Sequence, residues 1–398
     1  MSDALMNNYA PTSLAFSHGQ GAWLYGEDGR AYLDFMSGIA VTALGHAHPH
    51  LVKAVQAQAA TLMHVSNVFA IPAQAQAAQR LVDASFADRV FFCNSGAEAL
   101  EAAIKVARRY HWARGAGQKT RVITLHQSFH GRTLATIAAA GAEKLLEGFG
   151  PPMPGFDPVP ANNMNALRAA IRPETAAVLV EPVQGEGGIF PLPETYLRDL
   201  RAACDEFGLL LIFDEVQCGM ARSGSLFAYE QLGSKPDIMA LAKGLGGGFP
   251  VGAVLASEAA ASGMAPGSHG STFGGNPLAM AAVNAVLDVL LEPGFLDSVV
   301  ARSAQLEAGL DNLVARYPQV FERQQGLGLM RSLSIRAPLT NAAARAAFEA
   351  EGLLVVGASQ NQCRLLPPLI ISEAEVEQAL GMLAAGAAVL ADQLDAAA

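Results

Sequence analysis

Leu209-Leu210-Leu211-Ile212-Phe213-Asp214-Glu215-Val216-Gln217 sets five apolar residues directly against two carboxylates. An apolar run without alternation is the pattern of a strand covered on both faces. Such strands belong to parallel sheets sandwiched between helical layers. The neighbouring sequence repeats the theme. Upstream, Arg89–Cys93 and Arg121–Leu125 read as strands, and so does 176–180, which ends at Glu181-Pro182. Helical spacing marks 97–112 and Glu194–Phe207, and short apolar runs follow at Ile238–Leu241 and 253–256. Strands alternating with helices predict an α/β domain with a mostly parallel sheet.

The two ends of the chain differ from this middle. Trp23-Leu24-Tyr25 and Tyr32-Leu33-Asp34-Phe35 flank Glu27-Asp28-Gly29-Arg30, and Asp-Gly between β-rich runs predicts a hairpin. Residues 50–62 carry helical apolar spacing. Beyond about Pro277, helices are expected at 278–291 and 299–317, strands near 328–335 and 353–356, and helices at 340–351 and 373–394. This predicts a smaller α+β domain joined by the N-terminal hairpin. The expected parts are an N-terminal segment 1–45, a large domain 46–290 and a small domain 291–398.

Composition narrows the class. Hydrophobic residues make up 51% and charged residues 16%, enough to bury a large core and too apolar for disorder. A net charge of -10 without a basic run argues against nucleic acid or anionic lipid as a partner. Cys93, Cys204, Cys218 and Cys363 form no C-x-x-C pair, which favours reduced thiols over disulfides or a metal site. The first ten residues lack the charged start and apolar core of a signal peptide. The most apolar stretches, 209–213 and 382–391, are too short to span a bilayer. A cytoplasmic protein is the expectation.

Ligands of open α/β sheets gather at the carboxyl ends of strands, and the unusual polar residues fall there. Asn94-Ser95-Gly96-Ala97-Glu98 follows a strand and opens a helix. Ser95 with Glu98 fits a capping box; the same N–H groups and helix dipole suit a phosphate. Asp214 ends a buried strand and needs a partner, which a protonated ring nitrogen, a helix cap or an ion pair would each supply. Lys243, in Ala242-Lys243-Gly244-Leu245-Gly246-Gly247-Gly248, alone among the lysines sits between an apolar run and a glycine-rich turn. Desolvation there would make it a nucleophile toward aldehydes, against the alternative of a solvated surface lysine. It is not a P-loop lysine, because its glycines follow it. In Ser128-Phe129-His130-Gly131-Arg132, Phe129 is placed to stack on a ring or to pack in the core, and Arg132 to clamp a carboxylate. His269-Gly270-Ser271-Thr272-Phe273-Gly274-Gly275 suits a phosphate or a plain loop.

Taken together, these motifs resemble the class III (ornithine-type) aminotransferases of fold type I. The likeness runs from about Trp23 to Leu369 and includes Leu44-Gly45-His46-Ala47-His48-Pro49 and the segments 181–188 and 270–277. It is strongest to the branch acting on acetylornithine and succinyldiaminopimelate. The resemblance implies a seven-stranded, mostly parallel sheet and pyridoxal phosphate as cofactor. It implies Lys243 as the Schiff-base lysine, Asp214 as partner of the ring nitrogen and Gln217 as partner of the phenolic oxygen. Phe129 and Val216 would cover the two ring faces. Ser95, Gly96 and Ala97 would bind phosphate, and Glu215 is counted with the cofactor residues.

Thr272 and Ser271 would reach the neighbouring site of a homodimer. Arg132 would hold a substrate carboxylate, and Arg364 the α-carboxylate of glutamate or 2-oxoglutarate. Glu186 would pair with Arg364 when the other substrate is bound. Ornithine-using members carry tyrosine where Ile39 stands; apolar Ile39 leaves a free α-amine unpartnered and favours an N-acylated donor. The expected activity is therefore transfer of the terminal amine of N-acetylornithine to 2-oxoglutarate, with N-succinylornithine or N-succinyldiaminopimelate as related donors. Ornithine or 4-aminobutyrate transamination, an aminomutase and a non-catalytic binding protein on the same fold are the alternatives.

Overall fold

The computed structural model describes residues 4–397; residues 1–3 of the expected N-terminal segment and residue 398 lie outside it. Seven strands form the central sheet in the order Arg89–Cys93, Gly252–Ala256, Ile238–Leu241, Leu210–Asp214, Thr175–Val180, Arg121–Leu125, Phe156–Val159. Only Gly252–Ala256 runs antiparallel to its neighbours. Strands Thr175–Val180 and Leu210–Asp214 are buried at every residue, the outcome expected of non-alternating apolar runs in mid-sheet.

Helix Gly96–Ala113 covers one face. Ala99, Leu100, Ala103, Ile104 and Ala107 recur at helical spacing and are buried against the sheet. Helix Glu194–Phe207 covers the other face with Tyr196, Leu197, Leu200, Ala203 and Cys204. Helix Pro277–Leu290 packs on helices Pro49–Ala59 and Pro72–Asp83, whereas helix Phe295–Arg316 packs on helix Glu373–Ala397 and strand Phe321–Leu327.

The hairpin forms as expected. Trp23–Gly26 pairs antiparallel with Ala31–Asp34, and Gly29 takes φ +81° in the turn between them. The resulting four-stranded sheet has Phe16–Gln20 antiparallel to Trp23–Gly26 at one edge and Leu353–Leu354 parallel to Ala31–Asp34 at the other. A second four-stranded sheet is ordered Phe321–Leu327, Met330–Ile335, Gln362–Leu365, Val356–Ala358. One expectation needs correction. The apolar stretch 382–391 lies inside a helix of 25 residues. By length and composition alone, its residues 373–396 are enough to cross a membrane. Val376, Ala379, Leu383, Ala387 and Leu390 of this helix are buried in the core shared with helix Phe295–Arg316.

Candidate active site

A cavity of ≈ 320 Å³ opens at the carboxyl ends of the central strands, within the range of small-ligand pockets. It is lined by Ser95, Gly96, Ala97, Phe129, His130, Glu181, Asp214, Val216, Gln217 and Lys243, among others. These residues span Ser95 to Lys243 in sequence, and the sheet brings them together because each follows or ends a central strand.

The wall beside helix Gly96–Ala113 is a ready anion cradle. Ser95 Oγ accepts from the Glu98 N–H at 3.2 Å. The reciprocal bond of a capping box is displaced by one residue, because Glu98 Oε2 accepts from the Asn94 N–H instead. That shift leaves the N–H groups of Ser95, Gly96 and Ala97 without a hydrogen-bond partner among the described residues. A helix start with free amides and no carboxylate over them fits a phosphate. Gly96 is required by close packing, since a Cβ there would stand 2.8 Å from Val216 Cγ1.

Across the cavity, Asp214 is buried and firmly held. Its Oδ1 accepts from the Val216 N–H at 3.0 Å, and its Oδ2 from His130 Nδ1 at 2.8 Å. Burial opposes a charge on His130, but the hydrogen bond and charge of Asp214, with Glu181 beyond, outweigh it and raise the imidazole pKa. His130 Nε2 is buried without a partner. Glu181 accepts the N–H groups of Phe129 at 2.9 Å and Gly185 at 3.2 Å, while burial and then the Asp214 charge push its pKa up. His130 and Glu181 were quoted in the sequence but given no role there. Their signal is tertiary: His130 meets Asp214 across 84 residues and Glu181 meets Phe129 across 52, pairings that no local pattern carries.

Lys243 opens a short 3-10 turn with φ +44°, in the left-handed region that residues bearing a Cβ seldom occupy. Burial, then the Arg364 charge, lower its pKa from 10.5 to about 8, against the opposing pull of Glu186, Asp214 and Glu181. A primary amine of reduced basicity therefore shares a cavity with a carboxylate, an anion cradle and an aromatic ring.

The substrate candidates lie around this centre. Arg364 is 1% exposed. It donates to Glu186 Oε1 at 2.5 Å, to the Gly357 carbonyl at 3.1 Å and to Gln217 Oε1 at 3.4 Å. Arg132 is exposed, its guanidinium 5.5 Å from the Phe129 ring centroid, and does not line the cavity. Ile39 packs on the apolar cluster that includes Leu366 and Val356, while its near neighbour Val41 lines the cavity.

One assignment changes, and the two residues expected at a neighbouring site stand apart from this chain's own. Glu215 does not face the cavity. It stands one residue past the strand, and its carboxylate instead accepts the N–H groups of Ala228 at 2.6 Å and Tyr229 at 2.9 Å. Ser271 and Thr272 lie outside this chain's own cavity. Ser271 Oγ accepts from Asn94 Nδ2 at 3.1 Å and from the Gly274 N–H at 3.0 Å, while Thr272 is exposed.

A turn of unusual hand precedes Val41 of the cavity wall. Ser37, Gly38, Ile39 and Ala40 all have φ between +49° and +67°. Three carry a Cβ, so the turn costs roughly 3–6 kcal/mol at 1–2 kcal/mol per residue.

The family model for class-III aminotransferases matches residues 4–386. The acetylornithine aminotransferase of Mesorhizobium japonicum is 56% identical over 395 residues, covering 99% of this chain and 98% of that protein. The acetylornithine aminotransferase of Rhodobacter capsulatus is 50% identical over 390 residues, covering 98% and 99% respectively. Among solved structures, the ornithine aminotransferase of Toxoplasma gondii superposes with TM-score 0.94 at 30% identity, covering 98% of this chain and 94% of that one. The N-acetylornithine aminotransferase of Stenotrophomonas maltophilia gives 0.84 at 36% identity, covering 96% and 98%.

Proposed function

This chain belongs to the class-III aminotransferases and is a pyridoxal-phosphate enzyme; we propose that it moves the terminal amino group of N-acetylornithine to 2-oxoglutarate, releasing the semialdehyde and glutamate. The observation that carries this reading is the convergence of Lys243, Asp214 and the free amides of 95–97 on one cavity. The likeness to acetylornithine aminotransferases along the whole chain supports the donor.

When bound, the cofactor supplies an aldehyde that accepts the amino group and a protonated ring that takes up electrons. The chain's own residues supply the rest. Free amides at 95–97 receive the phosphate. Asp214, held by His130 and the Val216 N–H, keeps the ring nitrogen protonated. Phe129 and Val216 form walls for the ring, and Gln217 offers its amide to the phenolic oxygen. Lys243 would hold the cofactor's aldehyde, and its free amine would move a proton at the donor carbon. Arg364 takes the α-carboxylate of 2-oxoglutarate after Glu186 lets go of it, and Arg132 takes the second carboxylate.

Apolar Ile39 disfavours a free α-amine, since an unpaired buried amine costs about 1–3 kcal/mol. A homodimer is part of the same proposal. Exposed Thr272 stands beside exposed Phe273, and Leu62, Met63, Val68 and Phe69 add further apolar surface on the adjoining loop, whose Asn67 bonds Ser271 and Gly274. A cytoplasmic setting is supported by the four cysteines, all free and buried. We keep 1–45, 46–290 and 291–398 as the three parts of the chain.

The test is kcat/KM for N-acetylornithine, N-succinylornithine, N-succinyldiaminopimelate, ornithine and 4-aminobutyrate with 2-oxoglutarate. N-acetylornithine should be used fastest. A faster reaction with ornithine would overturn the donor, and product formation without a keto acid would overturn transamination in favour of a mutase.

A further inference from the structure

The left-handed turn at 37–40 needs an explanation that its own sequence does not provide. Gly38 alone is suited to positive φ, and Ile39 is β-branched, the kind of side chain that is an outlier there. Asp34 supplies the hold. Its Oδ1 accepts the N–H groups of Met36 at 2.8 Å and Ser37 at 2.9 Å, and its Oδ2 meets His46 Nε2 at 2.8 Å. The carboxylate is buried, with Asp34 only 1% exposed. The turn then closes on itself, with the N–H groups of Val41 and Thr42 both donating to the Ser37 carbonyl at 2.7 and 2.9 Å.

This segment touches the site from two sides. Val41 lines the cavity. A Cβ on Gly244, next to Lys243, would stand 3.5 Å from Ala43 Cβ and 3.9 Å from the Ala40 carbonyl. The Leu366 N–H donates to the Phe35 carbonyl at 2.7 Å and the Leu369 N–H to the Ala43 carbonyl at 2.8 Å, which ties the turn to the stretch after Arg364. Asp34 itself is absent from the cavity wall. Strain sustained by surrounding structure beside a ligand site is characteristic of functional segments.

We infer that Asp34 is a positioning residue for donor selection: by two backbone hydrogen bonds and its contact with His46 it holds the left-handed turn that sets where Val41 stands in the cavity wall and how Ile39 packs on the apolar cluster with Leu366. The inference rests on the reading that an N-acylated diamino acid is the donor. With the turn released, Ile39 and Val41 shift and the apolar wall that discriminates against a free α-amine is lost.

The experiment compares wild type with Asp34→Asn, which keeps an acceptor oxygen and removes the anion facing His46. The readouts are the ratio of kcat/KM for N-acetylornithine over ornithine, the KM for 2-oxoglutarate, and bound cofactor from the visible absorption band. The ratio should fall about tenfold, the lower end of the range for a hydrogen bond to a charged group, mostly through KM of the acylated donor. Cofactor content and KM for 2-oxoglutarate should stay near wild type.

Adding Ala40→Gly should restore part of the ratio, because glycine holds φ +62° without a Cβ penalty. An unchanged ratio, an equal loss for both donors with loss of cofactor, or no rescue by glycine would each overturn the inference. If Asp34→Asn does not fold, His46→Gln, which disturbs one of the three contacts, must shift the ratio in the same direction. Should wild type prefer ornithine, the donor reading fails by itself, and the ratio must still move in the Asp34 variant for the positioning role to stand.

Discussion

The cofactor end of the cavity and the loop at 270–275 are joined by one hydrogen bond, Asn94 Nδ2 to Ser271 Oγ, yet they are built on opposite terms. In the first, the buried carboxylates find partners inside the chain: Asp214 on His130 and the Val216 N–H, and Glu181 on two backbone amides. In the second, Thr272 is exposed with no partner among the described residues and borders apolar surface at Phe273. A buried polar group must be satisfied where it stands, so the first region can work within one chain. An exposed hydroxyl beside an apolar patch is satisfied by another surface. Damage to the first region should therefore follow the mutated chain, whereas damage to the second should follow its neighbour.

The largest effect tests the first region. Lys243→Ala should abolish steady-state turnover, losing at least the ~10²–10⁴-fold that a positioned acid–base group contributes. Borohydride reduction of the loaded wild-type protein should place the adduct on the peptide containing Lys243 and nowhere else. Turnover in the variant near the wild-type rate would remove the central residue of the mechanism. Asp214→Asn comes next, with an expected loss of ~10²–10³-fold in kcat for one misplaced electrostatic partner. The variant should still bind cofactor, because the amides at 95–97 are untouched. A rate near wild type would mean that another group protonates the ring.

The second region gives a smaller loss and a sharper sign. Thr272→Ala should weaken cofactor binding by ~10–150-fold if its hydroxyl reaches a phosphate, the range for a hydrogen bond to a charged group. Lys243→Ala and Thr272→Ala chains, each impaired alone, should regain activity when unfolded and refolded together. A mixed dimer contains one site with an intact lysine from one chain and an intact threonine from the other. No recovery on mixing would place Thr272 in its own chain's chemistry and erase the contrast between the regions.

What could be read beforehand follows the same division between local and tertiary causes. Strands Arg89–Cys93, Arg121–Leu125 and Ile238–Leu241 were legible because apolar runs in a covered sheet need no context. Strand Phe156–Val159 was not, because Pro158 argues against a strand. It is tolerated here at the sheet's edge, where one side of the ladder is unused. Strand Phe321–Leu327 is also an edge, and its Glu322, Arg323, Gln324 and Gln325 hide the pattern. In the site, Lys243 and Asp214 stood out as charges at the ends of apolar runs. Glu215 was misplaced because the amides that hold its carboxylate, those of Ala228 and Tyr229, lie 13 and 14 residues further on. The His130–Asp214 pair and the left-handed turn held by Asp34 depend on contacts made only after folding.

The mildest prediction concerns the proton on Lys243, and its sign follows from the pKa. An ordinary lysine amine, at 10.5, is almost wholly protonated at neutral pH, whereas Lys243 is lowered to about 8 by burial and by Arg364. Only the neutral amine attacks an aldehyde. The rate of cofactor incorporation into cofactor-free protein should therefore rise with pH, with its midpoint near 8, gaining roughly tenfold between pH 7 and 9 before levelling. A midpoint near 10.5 would mean that the amine is as solvated as any surface lysine. Arg364→Gln removes the second cause of the depression and leaves the first, so the midpoint should move up while remaining below 10.5. Were the midpoint indifferent to Arg364, the arginine that is to hold the keto acid would be electrostatically uncoupled from the lysine, and the two halves of the cavity would not sense each other's charge.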